Sequence, residues 1–429
     1  MPVFPRGLSF ATLSKIENIL MFVIIWACIL SIHFAYKKSG AITSIKLKTQ
    51  DNINNKNVIE EKPVLNNPEF LQSDLAEMVQ KELEDSKMLQ EKAMYKEVIR
   101  AKEGELYSTV KIEEVYKRFD EKPKQNDKKI NSDKRHPNLP KYLINGDNIC
   151  SSGKVDILFY IHSKIENEKN RNGIRQTYGN KDNFKRLISK VVFILGRGNN
   201  KEEKKNIIKE SEAHHDIVQA DFTDVHTNLS LKVLTFLQWI GDHCSDPVPQ
   251  FIVKVDDDFF VNPFMLIEEL LPNVWEKDNF VSCHAKENSP VVRNKKSKWY
   301  VPESAFPKKD PDVFIKTCSG YTAILPGDMI PVLRSLSADT PIIPVDDAYL
   351  FSVLFGKLEN AEYIQILDSM TLNKEAGFQD YKGNKRLKFM SVSCWGEIID
   401  NMNTLWKGTL KHLTTLGKQL INPKRLNIK

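Results

Sequence analysis

The chain has 429 residues, 28% of them charged and 41% hydrophobic, with a formal net charge of +6. That apolar share is enough for one large folded domain with accessory segments, and it excludes a collagenous or wholly disordered chain. Lysines and acids are interspersed along the chain, so the charge leaves no nucleic-acid footprint.

Residues 1–18 read as a short tail. From Ile19 to Tyr36 no charged residue occurs until Lys37 and Lys38. About 18 to 20 such residues span a bilayer, so this stretch predicts a retained membrane anchor. A cleaved signal peptide would carry a shorter apolar core and a small-residue cleavage site. Arg6 and Lys15 precede the span while Lys37, Lys38, Lys46 and Lys48 follow it, a bias that alone points the C-terminus to the cytoplasm; long C-terminal domains translocate regardless. Residues 37–140 read as a stem: a polar linker, then charged helix-forming sequence in which Leu71, Leu75, Met78, Val79, Leu83 and Leu89 drift from a heptad. Such a stem packs weakly on itself or on a second copy, which leaves a homo-oligomer open. The Lys- and Pro-rich run 121–140 marks a boundary, and a folded domain is expected over 141–429.

Within that domain, Val155–His162 and Lys190–Leu195 read as buried strands and Asp216–Gln219 as a short third one. A helix from Asn167 to Tyr178 carries Arg171 and Arg175 one turn apart on one face. Another helix runs from Asn228 to His243, and a fourth strand, Phe251–Val255, follows. Strands alternating with helices predict an α/β fold with a mainly parallel twisted sheet covered by helices on both faces.

The fourth strand ends in Asp256, Asp257 and Asp258, and apolar residues resume at Phe259, Phe260 and Val261. Acids framed this way sit at the carboxyl end of a buried strand, where open α/β sheets bind ligands. Three adjacent carboxylates repel one another and lose hydration, so they call for a cation or several donors. A hard divalent ion, Mn²⁺ or Mg²⁺, takes one or two carboxylates and fills its shell with water and phosphate oxygens, which implies a phosphate-bearing substrate.

Further on, Met265–Leu271 reads as a helix, Phe280–His284 as a strand, and Lys298–Ser319 as a long aromatic loop of the kind that usually binds something. Asp346 and Asp347 then open an apolar helix that runs to about Gly356. Taken alone they also read as N-cap and first-turn acids. Cys28 lies in the span; Cys150, Cys244, Cys283, Cys318 and Cys394 make no zinc spacing and suit disulfides in an oxidising compartment, with at least one thiol left over. Asn228-Leu229-Ser230 is a glycosylation sequon.

The series Arg171 to Gly179, Phe193 to Gly196, Asp216 to Phe222, Asn228 to Lys232, Lys254 to Asp258, Lys298-Trp299-Tyr300, Cys318-Ser319-Gly320 and Val345-Asp346-Asp347 resembles the β-1,3-galactosyltransferase family, which includes β-1,3-N-acetylglucosaminyltransferases. The resemblance covers roughly residues 150 to 410. It implies a GT-A fold, a Golgi-resident type II membrane enzyme, and inverting transfer of a hexose from a UDP-sugar to an acceptor glycan. Carried onto this chain, Asp258 binds Mn²⁺ (Mg²⁺ the alternative) and Asp256 the metal or the nucleoside ribose. Arg171, Arg175, Lys254 and Asp257 fall on the donor side. Asp347 is the general base with Asp346 beside it, and Trp299, Tyr300 and Gly320 face the sugar or acceptor.

This chain departs from the family in three places: Asp346 replaces a glutamate, the block after Gly320 loses a glycine and a tyrosine, and no late histidine stands near Cys394-Trp395 to complete a metal shell. A non-catalytic glycan-binding or partner subunit is therefore the competing reading. A haloacid-dehalogenase-like phosphohydrolase would need Thr or Val where Phe260 stands.

Overall fold

A computed structural model of the chain describes residues 112–121 and 134–426, apart from 147, 152, 246, 384–385 and 414. All of them belong to the compact unit Lys92–Lys429. The anchor expected at Ile19–Tyr36, the tail before it and most of the stem lie outside the described residues. Among those described, no helix is long and apolar enough to cross a membrane.

The strands are β1 (Tyr142–Ile144), β2 (Ile157–His162), β3 (Ser189–Arg197), β4 (Ile217–Thr223), β5 (Phe251–Asp256), β6 (Phe259–Val261), β7 (Phe280–Pro290), β8 (Val313–Pro326), β9 (Glu362–Gln365), β10 (Met370–Thr371) and β11 (Ser391–Ser393). The main helices are α1 (Ile112–Asp120), α2 (Glu168–Gln176), α3 (Lys201–His214), α4 (Leu229–His243), α5 (Ile330–Ala338), α6 (Lys374–Gly383) and α7 (Ile398–Lys411).

Eight strands form one sheet in the order β1-β4-β3-β2-β5-β8-β7-β9, and β10-β11-β6 form a small second one. The run β4-β3-β2-β5 is parallel, with α2, α3 and α4 as its crossovers. Every residue of β2 is buried, which is why the strand reads as an unbroken apolar run and not as an alternating one.

The mainly parallel expectation needs correction, because the sheet is mixed. β5 pairs antiparallel with the 14-residue β8, and β8 antiparallel with β7. The first half of β8 falls inside the expected loop Lys298–Ser319. Ile315 and Lys316 are exposed there, so the stretch lacks the continuous apolar signal of a strand buried on both faces. The rest of the loop is pinned by Arg293, whose guanidinium takes Asp312 in a fork at 2.9 Å twice and also reaches the Val301 and Phe306 carbonyls.

Two apolar layers cover the sheet. One holds Phe159, Phe193, Val253, Phe260 and Trp406; the other holds Tyr160, Phe236, Trp239, Ile252 and Leu333. Helix α1, assigned to the stem by sequence, belongs to the first layer. Val115, Tyr116 and Phe119 are buried, and Phe119 meets Trp275 edge-on at 4.8 Å. Gln250 donates to the Phe119 carbonyl at 2.6 Å and so fixes the end of the helix. Burying one such phenylalanine contributes about 2 kcal/mol, and three buried residues on so short a helix are too few to mark it as core in the sequence.

Disulfides join Cys150 to Cys244 and Cys283 to Cys318, and Cys394 is buried and unpaired. In the sequon, Ser230 is fully buried, with its hydroxyl on the Ile343 carbonyl.

Candidate functional site

Strands β2 and β5 stop at the same level, with His162 paired in register with Asp256. The carboxylates therefore emerge where two buried parallel strands end. They then diverge, because the chain turns before β6 pairs with β11. Asp256 stays beside its own strand and takes the Lys254 ammonium at 3.0 Å. Asp257 points into the fold: it is buried and accepts from Ser163 Oγ at 2.6 Å, Asn167 at 2.9 Å and Asn170 at 3.4 Å. These donors close the turn onto the start of α2 and hold Asp257, expected on the donor side, within the fold. Asp258 faces the other way and accepts the Trp395 indole N–H at 2.9 Å. Burial and the charges of Asp256 and Asp257 push the Asp258 carboxyl up to about 6, against that hydrogen bond.

Lys254, expected on the donor side, is fully buried. It binds Asp256, the Gly320 carbonyl and, at 3.7 Å, Asp346. Asp346 also takes His162 Nδ1 at 3.0 Å, and His162 Nε2 meets the Tyr160 hydroxyl. Burial alone would raise the Asp346 carboxyl, but Lys254 and His162 hold it well below the usual carboxylate range. His162 moves down, first through burial and then through Lys254, and so favours the neutral imidazole.

Asp347 is half-buried and accepts the Gly320 N–H at 2.9 Å. Its carboxyl is held well above the ordinary range by burial and by the adjacent Asp346 charge. Asp347 makes no side-chain cap bond to the helix that follows it, so capping does not account for it. Instead the first turn, which continues into the π-helical stretch Ala348–Leu354, aims one carboxylate at a buried cation and the other at a strand amide. Gly320 is required for this arrangement: a Cβ there would lie 2.7 Å from Asp347 Cγ.

Arg171 and Arg175 do share a face, and it is turned toward α3. All five N–H groups of Arg171 are engaged: two on Glu210 at 2.7 and 2.6 Å, and the others on Ser163 Oγ and the Lys164 and Ile165 carbonyls. Arg175 forks onto Asp216 at 2.7 Å twice and also reaches Glu210 at 2.8 Å. Both guanidinium groups thus hold the scaffold, and Arg171 reaches the site only through Ser163, which carries Asp257.

Trp299 is 40% exposed, under Lys298 and 6.1 Å from His226. His226 moves down, first through burial and then through the charges of Lys298 and Lys164. Tyr300 is half-buried, and its amide closes a turn onto Ser297. On the other side Tyr321 stacks on Phe259 at 4.9 Å, and its hydroxyl meets His284.

The sequence reading missed His162 and left Trp395 without a role. His162 had a usable signal: a polar residue closing an all-apolar strand, as Asp256 does. Trp395 had none, since 137 residues separate it from Asp258.

Among the described residues no group of three or more His, Cys, Asp or Glu side chains is placed to hold a metal. Asp256 and Asp258 supply hard carboxylate oxygens two residues apart, and the Asp258 carboxyl is raised by burial and then by the charges of Asp256 and Asp257, which a cation would offset. This donor set fits an ion that needs only one or two protein carboxylates.

Fold and site together define a mixed α/β protein whose acidic cluster lies at the carboxyl ends of parallel strands, where open α/β sheets bind ligands. Residues 169–364 match the family model described as Galactosyltransferase. Human β-1,3-galactosyltransferase 1 is 29% identical over 216 residues, 50% of this chain and 64% of its own length. The lactosylceramide 1,3-N-acetyl-β-D-glucosaminyltransferase of Xenopus tropicalis is 34% identical over 174 residues, 39% of this chain and 46% of its own. A solved glycosyltransferase involved in glycosylation of the major capsid of PBCV-1 aligns with a TM-score of 0.27 and 11% identity over 58% of this chain and 98% of its own. Over residues 169–364 the chain is similar to the galactosyltransferase family. It spans less than two thirds of the length of these curated relatives.

Proposed function

We propose that this chain is an inverting glycosyltransferase of GT-A type that moves a hexose, galactose before N-acetylglucosamine, from a UDP-sugar to the 3-hydroxyl of an acceptor glycan in β linkage. The observation that carries this reading is the pairing of Asp347, its carboxyl raised and held by the Gly320 N–H, with the Asp256–Asp258 carboxylates at the same strand ends. A carboxylate with a raised pKa is suited to take the proton of an attacking hydroxyl near neutral pH. Lys254, His162 and Tyr160 hold Asp346 ionised behind it, and that charge keeps Asp347 basic. Mn²⁺ on Asp256 and Asp258 would neutralise charge on the departing diphosphate. Two disulfides and the apolar run Ile19–Tyr36 support a lumenal, type II placement in the Golgi membrane.

One set of observations favours a second reading, a non-catalytic glycan-binding or partner subunit. The expected cations Arg171, Arg175 and Lys254 are committed within the protein, and Trp395 sits on Asp258. A donor screen separates the two. The chain is incubated with UDP-galactose, UDP-N-acetylglucosamine, UDP-N-acetylgalactosamine and UDP-glucuronate, each with Mn²⁺ and with EDTA, across an acceptor panel. Metal-dependent turnover of one donor, abolished in Asp258→Ala, supports transfer. UDP binding without turnover of any donor favours the partner subunit.

A further inference from the structure

Beside the carboxylates, on the Trp395 side, lies a cavity of about 600 Å³ lined by Leu372, Asn373, Lys374, Glu375, Ser393 and Trp395. Trp395 is 51% exposed, although it is large and apolar, and Leu372 in the same lining is 47% exposed. The indole is nevertheless fixed. Its N–H is on Asp258 at 2.9 Å, Phe259 meets it edge-on at 6.3 Å, and its carbonyl takes Lys374 Nζ at 3.2 Å and Asn401 at 3.3 Å. Gly396 follows it at φ +96°, a conformation that lets the chain turn and leave the ring presented.

A rigid, half-exposed aromatic ring rimmed by amide, ammonium and carboxylate groups is the arrangement that accepts a flat, partly apolar, hydroxyl-rich ligand. A diphosphate is a poorer occupant, because the one cation in the wall, Lys374, is drawn to the Trp395 carbonyl.

We propose that this cavity is a pyranose subsite for the acceptor, in which Trp395 stacks on the sugar ring and Leu372 closes the far wall. The contact from Trp395 to Asp258 makes the subsite continuous with the carboxylate cluster, so an acceptor seated there lies beside the reacting centre. The inference rests on the transferase reading for the word acceptor, and on the geometry alone for the sugar.

The test is binding of p-nitrophenyl β-D-galactopyranoside to the full chain by saturation-transfer NMR, with UDP-galactose titrated in parallel. Trp395→Ala should weaken the pyranoside by about tenfold or more, the loss of one buried aromatic contact. Trp395→Phe, which keeps a ring and loses the N–H, should retain most of the binding. Leu372→Glu, a change at an exposed position, should weaken the pyranoside while UDP-galactose binds as before. Unchanged pyranoside affinity in folded Trp395→Ala and Leu372→Glu variants overturns the proposal, as does a loss confined to UDP-galactose. Pyranoside binding without turnover of any donor would leave the subsite standing and refute transfer. Turnover indifferent to both substitutions would do the reverse.

Discussion

The Gly320 N–H donates to Asp347 Oδ2 at 2.9 Å, and the same glycine leaves only enough room for that carboxylate: an added Cβ would sit 2.7 Å from Asp347 Cγ. Strand β8 and the helix opening at Asp346 are thereby set against each other at the proposed reacting centre. Gly320→Ala must displace Asp347, so transfer should fall at least about tenfold through kcat while donor KM changes little. Asp347→Asn should lower kcat by about 10² to 10⁴-fold. Steady-state kinetics check both, and an Asp347→Asn variant with full kcat would remove Asp347 from the role of base.

Lys254 is the buried cation shared by Asp256 and Asp346. Lys254→Met leaves Asp346 charged and buried without its ammonium partner, at a cost of about 3 to 5 kcal/mol in denaturant unfolding. Adding Asp346→Asn to that variant should recover part of the loss, because the stranded charge is gone. A double variant that is less stable than Lys254→Met would contradict the coupling.

Glu268 lies under the sheet, away from the cleft, and burial raises its carboxyl from an ordinary 4.5 to about 8. Between those two values the folded chain holds a proton that the unfolded chain has released. Stability should therefore fall as pH rises from about 4.5 toward 8, and level off above. Glu268→Gln should remove this slope and stabilise the protein at alkaline pH, on the order of a few kcal/mol at most. Melting curves from pH 5 to 9 for both proteins are the measurement.

The Asp258 carboxyl, raised to about 6, has to be ionised to engage a cation. Mn²⁺ affinity, followed by electron paramagnetic resonance of the free ion, should fall as pH drops through about 6. Trp395→Phe removes the hydrogen bond that lowers the Asp258 carboxyl, and should move that loss to higher pH. A pH-independent affinity in both proteins would exclude Asp258 as a ligand.

Much of the parallel half of the fold was legible because β2, β3 and β5 are buried on both faces and so write themselves as unbroken apolar runs. The site's acids were legible for the same reason, as charges at the end of such runs. Strand β8 was hidden, since part of it is exposed and its neighbours are β7, joined to it through the Cys283–Cys318 bridge, and β5 farther back in the chain. Helix α1 was hidden because its apolar face is short and its partners, Phe251 and Trp275, lie far along the sequence.

The sequence by itself determined that an acidic cluster ends a buried strand, that a second acidic pair opens an apolar helix, and which family the intervening blocks resemble. Tertiary structure decided which of those charges face the cleft. Arg171 and Arg175 carry the residue type and spacing of phosphate ligands, yet Glu210 and Asp216 occupy them. Asp257 is indistinguishable from its neighbours in sequence, yet it is satisfied inside the fold by Ser163, Asn167 and Asn170. The physical reason is that a buried charge must find a partner, and a sequence names the charges without naming the distant residues that meet them.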